Sequence, residues 1–257
     1  MKVTVCDFSA LEADFMSNWE SLKNYTAQQL PDLILLPEMP FCNWVAASNE
    51  VDKLIKEESV KKHELWLQKI DELDARYVVY STPVLKESKY YNTAFIYEKG
   101  KGHQAIHTKY FFPEEEHFWE DSWYDRTEKA FEMLEIDGLK IGVLLCTEMW
   151  FTEQARVYGK QDVDLLLCPR ATGDESVEQW LRLGQTLAVI SGAYCLSANK
   201  TGYDAANDFQ WGGTGWVAAP GNGELLGTTN DTGFFTVDID LNRSKESKLD
   251  YPLNVND

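Results

Sequence analysis

Short β-branched or leucine-rich runs alternate with longer polar–apolar stretches along the chain, and the two periodicities separate strands from helices. Val3 to Asp7 is a predicted opening strand. Met16 to Gln29 has helical spacing through Trp19, Leu22 and Tyr25, with Leu30 just beyond. Leu33 to Leu36 is an unbroken apolar run, expected of a strand buried on both faces, and Pro37 stops it. Val51 to Arg76 is expected to be helical, carrying Leu54, Ile55, Trp66, Leu67, Ile70 and Leu73. Tyr77–Thr82, Asn92–Glu98 and Gln104–Thr108 read as strands, the last two turned by Lys99-Gly100-Lys101-Gly102. Leu139–Leu145, Val163–Cys168 and Tyr194–Asn199 are predicted strands, separated by helices over Thr152–Lys160 and Ser176–Ser191. Gly213–Ala219 and Gly233–Ile239 follow as strands around the turn Pro220-Gly221-Asn222-Gly223. Strands alternating with helices and then paired into hairpins predict an α/β fold layered on a mixed sheet. No Pro/Gly/Ser-rich linker or long repeat interrupts the pattern, so residues 1–257 are expected to form one domain. The tail Asn242–Asp257 is polar and lacks a strong period.

Composition narrows the class. With 44% hydrophobic and 13% aromatic residues, the chain can build a real core and is unlike a disordered acidic segment. Its 24 Lys+Arg against 42 Asp+Glu leave a net charge of −18, which repels phosphate backbones and argues against nucleic-acid binding. The apolar runs fall far short of the roughly 20 residues of a membrane span. Asp7 interrupts any signal-peptide stretch, so the expected location is cytoplasmic. Five cysteines, an odd number without C-x-x-C spacing, read as free thiols in a reducing compartment.

In open α/β sheets ligands bind beyond the carboxyl ends of strands. Ionisable residues just after predicted strands are Glu38, Lys109, and Cys146 with Glu148. Among the thiols, Cys6 and Cys195 lie inside strand patterns, where cysteine is a small buried hydrophobe. Cys42 sits in a loop near Glu38, and Cys168 precedes Pro169, which has no amide to serve as an oxyanion donor. Cys146 ends its strand before Thr147, whose amide is available, at a turn expected to lower the thiol's pKa; it is the candidate nucleophile. Its base is a histidine or a desolvated carboxylate. His63 reads as solvated, and His103 and His107 share a strand face without a third metal ligand at sensible spacing. His117 lies in an acidic loop and is an outside candidate for the base. Glu38 is on the correct rim, with Lys109 as a fixed positive charge for a developing oxyanion; a structural Glu38–Lys109 ion pair is the plain alternative.

Three separated segments then resemble the nitrilase superfamily of carbon–nitrogen hydrolases and its Glu-Lys-Cys triad. They are Leu33-Ile34-Leu35-Leu36-Pro37-Glu38-Met39, His107-Thr108-Lys109-Tyr110-Phe111-Phe112-Pro113, and Ile141-Gly142-Val143-Leu144-Leu145-Cys146-Thr147-Glu148-Met149-Trp150 with its continuation to Arg156. The similarity extends through Val163–Pro169, Ala198-Asn199-Lys200-Thr201-Gly202 and Gly212–Gly215, over roughly residues 2 to 240. The resemblance implies a four-layer αββα sandwich and hydrolysis of a small linear amide or N-carbamoyl compound through a thioester, without metal or organic cofactor. It also implies a second glutamate, for which Glu120 fits best and Glu114, Glu115 and Glu116 compete. A homodimer or higher assembly is expected, with the tail exchanged between subunits. The chain departs from the family in Cys146-Thr147-Glu148, where Cys-Tyr-Asp or Cys-Trp-Glu is common, and in Arg170, at a place usually small or polar. Arg170 is expected either to clamp a substrate carboxylate or to neutralise Glu148. Trp44 and Trp150, with Trp119, Trp123 and Trp211, are candidates to line an aromatic pocket. Alternative functions are a nitrilase acting on a C≡N bond and an idle binding protein on the same scaffold.

Overall fold

In the computed structural model, which describes residues 1–229 and 231–255, successive side chains of the central strands enter different cores. The first half runs β1 (Lys2–Ser9), α1 (Phe15–Gln29), β2 (Leu33–Leu35), α2 (Lys53–Leu67), β3 (Tyr77–Lys86), β4 (Lys89–Glu98) and β5 (Gly102–Thr108). A short α3 (Glu120–Trp123) leads to β6 (Leu134–Ile136), β7 (Leu139–Val143), α4 (Thr152–Lys160), β8 (Leu165–Pro169), α5 (Val177–Ser191) and β9 (Tyr194–Asp204). The chain finishes with β10 (Phe209–Gly212), β11 (Trp216–Ala218), β12 (Leu225–Thr228), β13 (Phe234–Asp238) and α6 (Leu241–Ser247). Strand order is β5-β4-β3-β2-β1-β9-β8-β7-β6, with β13 on β1, β10 and β11 on β9, and β12 on β11.

The period of two in each strand explains the layering. Val3, Val5, Leu33, Leu35 and Val79 from one half of the sheet meet Ile141, Val143, Leu165, Leu167 and Leu196 from the other in a shared inner core. Their neighbours Cys6, Ile34 and Val78 face outward onto Trp19 and Leu22 of α1 and Trp66 of α2. Leu166, Cys168 and Cys195 face outward on the opposite side, onto Ala155 and Tyr158 of α4 and Leu183 and Leu187 of α5. Helices, sheet, sheet and helices therefore stack as the expected αββα sandwich. Each fully buried aliphatic side chain contributes roughly 1.5–3 kcal/mol. A one-residue register slip in β2 would exchange both faces at once.

Several boundaries differ from the sequence reading. The helix expected over Val51–Arg76 is confined to Lys53–Leu67; the Asp52 carboxylate caps it by accepting from the Leu54 amide at 2.6 Å. Ile70 and Leu73 reach the same core from a single 3-10 turn, so the apolar spacing outlasts the helix. β3 and β4 extend to a two-residue hairpin turn in which Glu87 and Ser88 both have positive φ, +52° and +64°. Neither is the Gly or Asn that marks such a turn. β6 pairs with β7 through Asp137-Gly138, which does carry the signature, but a three-residue strand is too short for periodicity. In the tail, Asp240 caps α6 by accepting from the Asn242 amide at 3.0 Å. The buried side of α6 is made by Ser244 and Ser247, whose hydroxyls donate to the Gly192 carbonyl at 2.9 and 2.7 Å, so no apolar stripe announces it. Residues 256 and 257 of the expected exchanged tail lie outside the described residues. Among the described residues no helix is long and apolar enough to cross a membrane.

Candidate active site

Glu38, Lys109 and Cys146 follow β2, β5 and β7; Glu38 and Lys109 are in direct contact, and Cys146 is near enough to feel both charges. The Glu38 amide donates to the Arg170 carbonyl at 3.2 Å just beyond β8, and the Lys109 amide to the Asn92 carbonyl at 2.9 Å. Lys109 is completely buried, and its Nζ donates to Glu38 Oε1 and to both Glu120 oxygens, each at 2.8 Å. Asn92 Nδ2 donates to the same Glu38 Oε1 at 2.7 Å. Glu38 Oε2, equally buried, has no hydrogen-bond partner among the described residues. One oxygen of Glu38 is thus fixed by a cation and an amide while the other carries no partner.

Cys146 opens a 3-10 turn, residues 146–150, and holds φ at +47°, a strained conformation for a residue with a Cβ. Its Sγ lies 3.7 Å from the Ala171 carbonyl. The first amides of such a turn have no partner within it, which makes the Thr147 N–H a candidate donor for an oxyanion. Burial and then the negative charge of Glu38 push the Cys146 thiol up to about 12, and Lys109 only partly opposes them. The expected lowering at a strand-to-helix turn is therefore overturned: a single 3-10 turn cannot offset a desolvated site holding a carboxylate. The resting thiol is neutral.

Two carboxylates share one ammonium. Burial works against the charge on Lys109, but Glu120 and Glu38 outweigh it and raise the lysine above its ordinary range. Burial also raises Glu120, more than Lys109 lowers it, and the Glu38 charge adds to the rise. Glu120 therefore takes up a proton more readily than an ordinary carboxylate. Of the four competing glutamates, Glu120 reaches Lys109, Glu114 accepts from the Ser122 amide and hydroxyl, and Glu115 lines the cavity beside Cys146.

Other candidate residues fall elsewhere. Arg170 neither reaches Glu148 nor lines that cavity. Its guanidinium is buried against the Trp216 ring and donates to Ser197 Oγ (2.7 Å), Thr172 Oγ1 (2.8 Å) and the Thr214 carbonyl (2.9 Å). Glu148 is held instead by His107: Nε2 lies 2.7 Å from Glu148 Oε2. That oxygen also accepts from the Leu145 amide at 2.9 Å, and Oε1 accepts from the Tyr110 amide at 2.8 Å. His63 is buried rather than solvated, its Nε2 accepting from the Phe41 amide. Trp44 is buried too; its Nε1 donates to the His117 carbonyl at 3.0 Å and its ring packs edge-on against Trp211, away from the cavity lining. Trp150, 48% exposed, and Thr147 do line the cavity, with Trp180, which the sequence reading did not single out. Asn92 was likewise missed, because an asparagine inside a strand such as β4 carries no chemical signature of its own.

The cavity above Cys146 has a volume of about 230 Å³. Among the described residues, Glu115 is the one ionisable residue besides Cys146 that lines it. It shares Phe118, Gly173 and Ser176 with a groove of about 570 Å³ that carries His117, Asp174, Glu175 and Asp208.

A sequence profile described as carbon-nitrogen hydrolase matches residues 2–248. The chain is 24% identical over 173 residues to the N-carbamoylputrescine amidase of Arabidopsis thaliana, a match covering 61% of this chain and 58% of that protein, under two thirds of its length. It is 24% identical over 232 residues to the 2-oxoglutaramate amidase of Bacillus subtilis (strain 168), covering 86% of this chain and 83% of the relative. Among solved structures, the carbon-nitrogen hydrolase from Helicobacter pylori G27 superposes with a TM-score of 0.80 at 20% identity, over 99% of this chain and 94% of that one. At that identity the likeness concerns the fold.

Proposed function

The chain belongs to the carbon–nitrogen hydrolase family, and from that premise we propose that it hydrolyses a small linear amide or N-carbamoyl compound through a thioester on Cys146. The observation that carries the proposal is the buried Glu38–Lys109–Glu120 cluster, electrostatically coupled to a thiol on a strained turn. Glu38 Oε2 takes the Sγ proton as sulfur attacks the carbonyl carbon. The C=O electron pair moves onto oxygen, where the Lys109 ammonium and the Thr147 amide receive it. Collapse re-forms C=O and breaks the C–N bond, and Glu38 delivers its proton to the departing nitrogen. Water, giving a proton to Glu38, then attacks the thioester, and the second collapse returns that proton to sulfur and releases the acid. Because the thiol rests neutral, proton removal accompanies attack rather than preceding it. Glu120 and Asn92 hold Lys109 and Glu38 in place through the cycle.

The lining supports a substrate class. Among the described residues no lysine or arginine lines the cavity or the adjoining groove, while Glu115, Asp174, Glu175 and Asp208 make the approach acidic. With Arg170 committed to Ser197, Thr172 and Thr214, the distal end of the substrate is uncharged or a protonated amine, and a carboxylate is disfavoured. An N-carbamoyl amine, as in the name of the plant relative, fits this charge pattern.

Ammonia release from matched amide, nitrile, N-carbamoyl amine and N-carbamoyl amino-acid substrates tests the proposal. Turnover of neutral or amine-bearing amides or carbamoyl compounds, at least about tenfold better in kcat/KM than their carboxylate counterparts, is expected. Preference for nitriles or for carboxylates contradicts it.

A further inference from the structure

Arg170 immediately follows β8, where the chain leaves the sheet for the wall of the cavity above Cys146. Its main chain is fastened on both sides. The amide donates to the Ala198 carbonyl of β9 at 2.9 Å, and the carbonyl accepts from the Glu38 amide at 3.2 Å. Ala171, Thr172 and Gly173 come next and line the cavity, and the Ala171 carbonyl lies 3.7 Å from Cys146 Sγ. One short stretch therefore touches the segment bearing the proposed base, the proposed nucleophile and the space for substrate.

The Arg170 side chain folds beneath this same stretch. Nε and Nη2 donate to Ser197 Oγ and the Thr214 carbonyl, neither of which lines the cavity, while Nη1 donates to the Thr172 hydroxyl, which does. The guanidinium carbon also stands 4.1 Å from the centre of the Trp216 ring and 5.7 Å from that of Trp180, a lining residue on α5. Thr172 is gripped from a second direction by Asn199, whose Oδ1 accepts from the Thr172 amide and whose Nδ2 donates to the same hydroxyl, each at 3.0 Å. Burying a guanidinium on two hydroxyls and a carbonyl, with no carboxylate among them, costs more than burying an apolar side chain. Burial lowers Arg170 only to about 10, so it remains charged near neutral pH. What the arrangement provides is geometry: a rigid planar fork with each nitrogen on a different segment.

We propose that Arg170 is a positioning residue for the reaction: by fixing Thr172 and backing Trp180, it holds the wall against which the substrate carbonyl is presented to Cys146 Sγ. The inference rests on the reading of that cavity as the site of acylation on Cys146.

The test is steady-state kinetics of wild type, Arg170→Met and Arg170→Lys on an amide the wild type hydrolyses, at a temperature where circular dichroism shows each to be folded. Methionine keeps much of the length and no donor; lysine keeps the charge but replaces the fork by a single point. Both variants should lose kcat by about ten- to hundredfold with KM within about threefold, because a displaced wall costs orientation in the transition state more than it costs binding. Wild-type kcat in the folded variants, or a loss carried by KM alone, overturns the proposal. Wild-type kcat in Arg170→Lys only also overturns it, since charge rather than the fork would then be the operative property. Should neither variant fold, Ser197→Ala removes one anchor of the guanidinium from outside the cavity. It should lower kcat by about three- to tenfold at unchanged KM, and an unchanged kcat overturns the proposal. Wild-type turnover by Cys146→Ala would instead remove the acylation reading itself, so the two failures are distinguishable.

Discussion

His107 Nε2 lies 2.7 Å from Glu148 Oε2, and through that carboxylate the turn bearing Cys146 is fastened to the loop bearing Lys109. Both side chains are buried, and the Leu145 and Tyr110 amides depend on the same two oxygens. Glu148→Ala leaves three donors unpaired, two of them buried, and should lower stability by about 3 kcal/mol, roughly 6–12 °C in Tm for a chain of this size. Thermal unfolding followed by circular dichroism measures this, and a Tm within 2 °C of wild type (an order-of-magnitude threshold, about 1 kcal/mol) would show the brace to be dispensable.

Lys109→Ala removes the proposed oxyanion donor and, among the described residues, the only ion-pair partner of Glu38 and Glu120. Turnover should fall by about 10²–10³, corresponding to roughly 2.7–4 kcal/mol. Stability should also acquire a new pH dependence. Burial already raises the Glu120 carboxyl, and without the lysine it rises further above the unfolded value of about 4.3, so the folded state loses stability as pH rises from there toward neutrality. The variant should melt higher at pH 5 than at pH 7.5, relative to wild type at each pH. Identical shifts at the two pH values would contradict the buried-cluster account.

The thiol gives a prediction of opposite sign for rate and ionisation. Burial and Glu38 together raise Cys146 to about 12. Glu38→Gln deletes the proposed base, so turnover should collapse, yet it also deletes a charge that opposes the thiolate. Alkylation of Cys146 by iodoacetamide should therefore show a lower pH midpoint in Glu38→Gln than in wild type. An unchanged or higher midpoint would mean that Glu38 does not act on the sulfur. Because the folded thiol is raised above the unfolded value of about 8.5, the protein should also lose stability as pH climbs through that value toward about 12.

The C-terminal segment after α6 leaves Leu249 and Tyr251 exposed, at 77% and 78%, with Val255 half exposed. Exposed apolar side chains in one stretch favour the proposed homodimer. Size-exclusion chromatography with light scattering should give at least twice the chain mass, and Leu249→Asp with Tyr251→Asp should reduce it; a monomeric wild type contradicts the proposal.

Much of the sandwich and its rim is legible in the chain because local and long-range signals agree there. Leu33–Leu36 is apolar on both faces, ends at a proline and delivers Glu38, and the same grammar delivers Cys146 after β7. The aromatic and basic candidates are less legible. Arg170 looks like a substrate clamp until Ser197, Thr172 and Thr214, up to 44 residues away in sequence, are seen to engage each of its three guanidinium nitrogens. Trp44 is apolar enough for either wall or core, and only its bond to the His117 carbonyl decides for the core. His63 sits among Lys61, Lys62 and Glu64 and reads as solvated, yet its ring turns inward to the Phe41 amide. Helix α6 hides because its buried face is serine, and the β3–β4 turn hides because Glu87 and Ser88 adopt positive φ without being glycine.

The central claim is tested most directly by intact-mass and peptide mass spectrometry of the enzyme quenched in acid during turnover of a neutral amide. The account predicts an acyl group on the peptide containing Cys146, its disappearance on treatment with hydroxylamine, and neither adduct nor ammonia from Cys146→Ala. Ammonia release by Cys146→Ala at the wild-type rate, or an acyl group on any other residue, would contradict it.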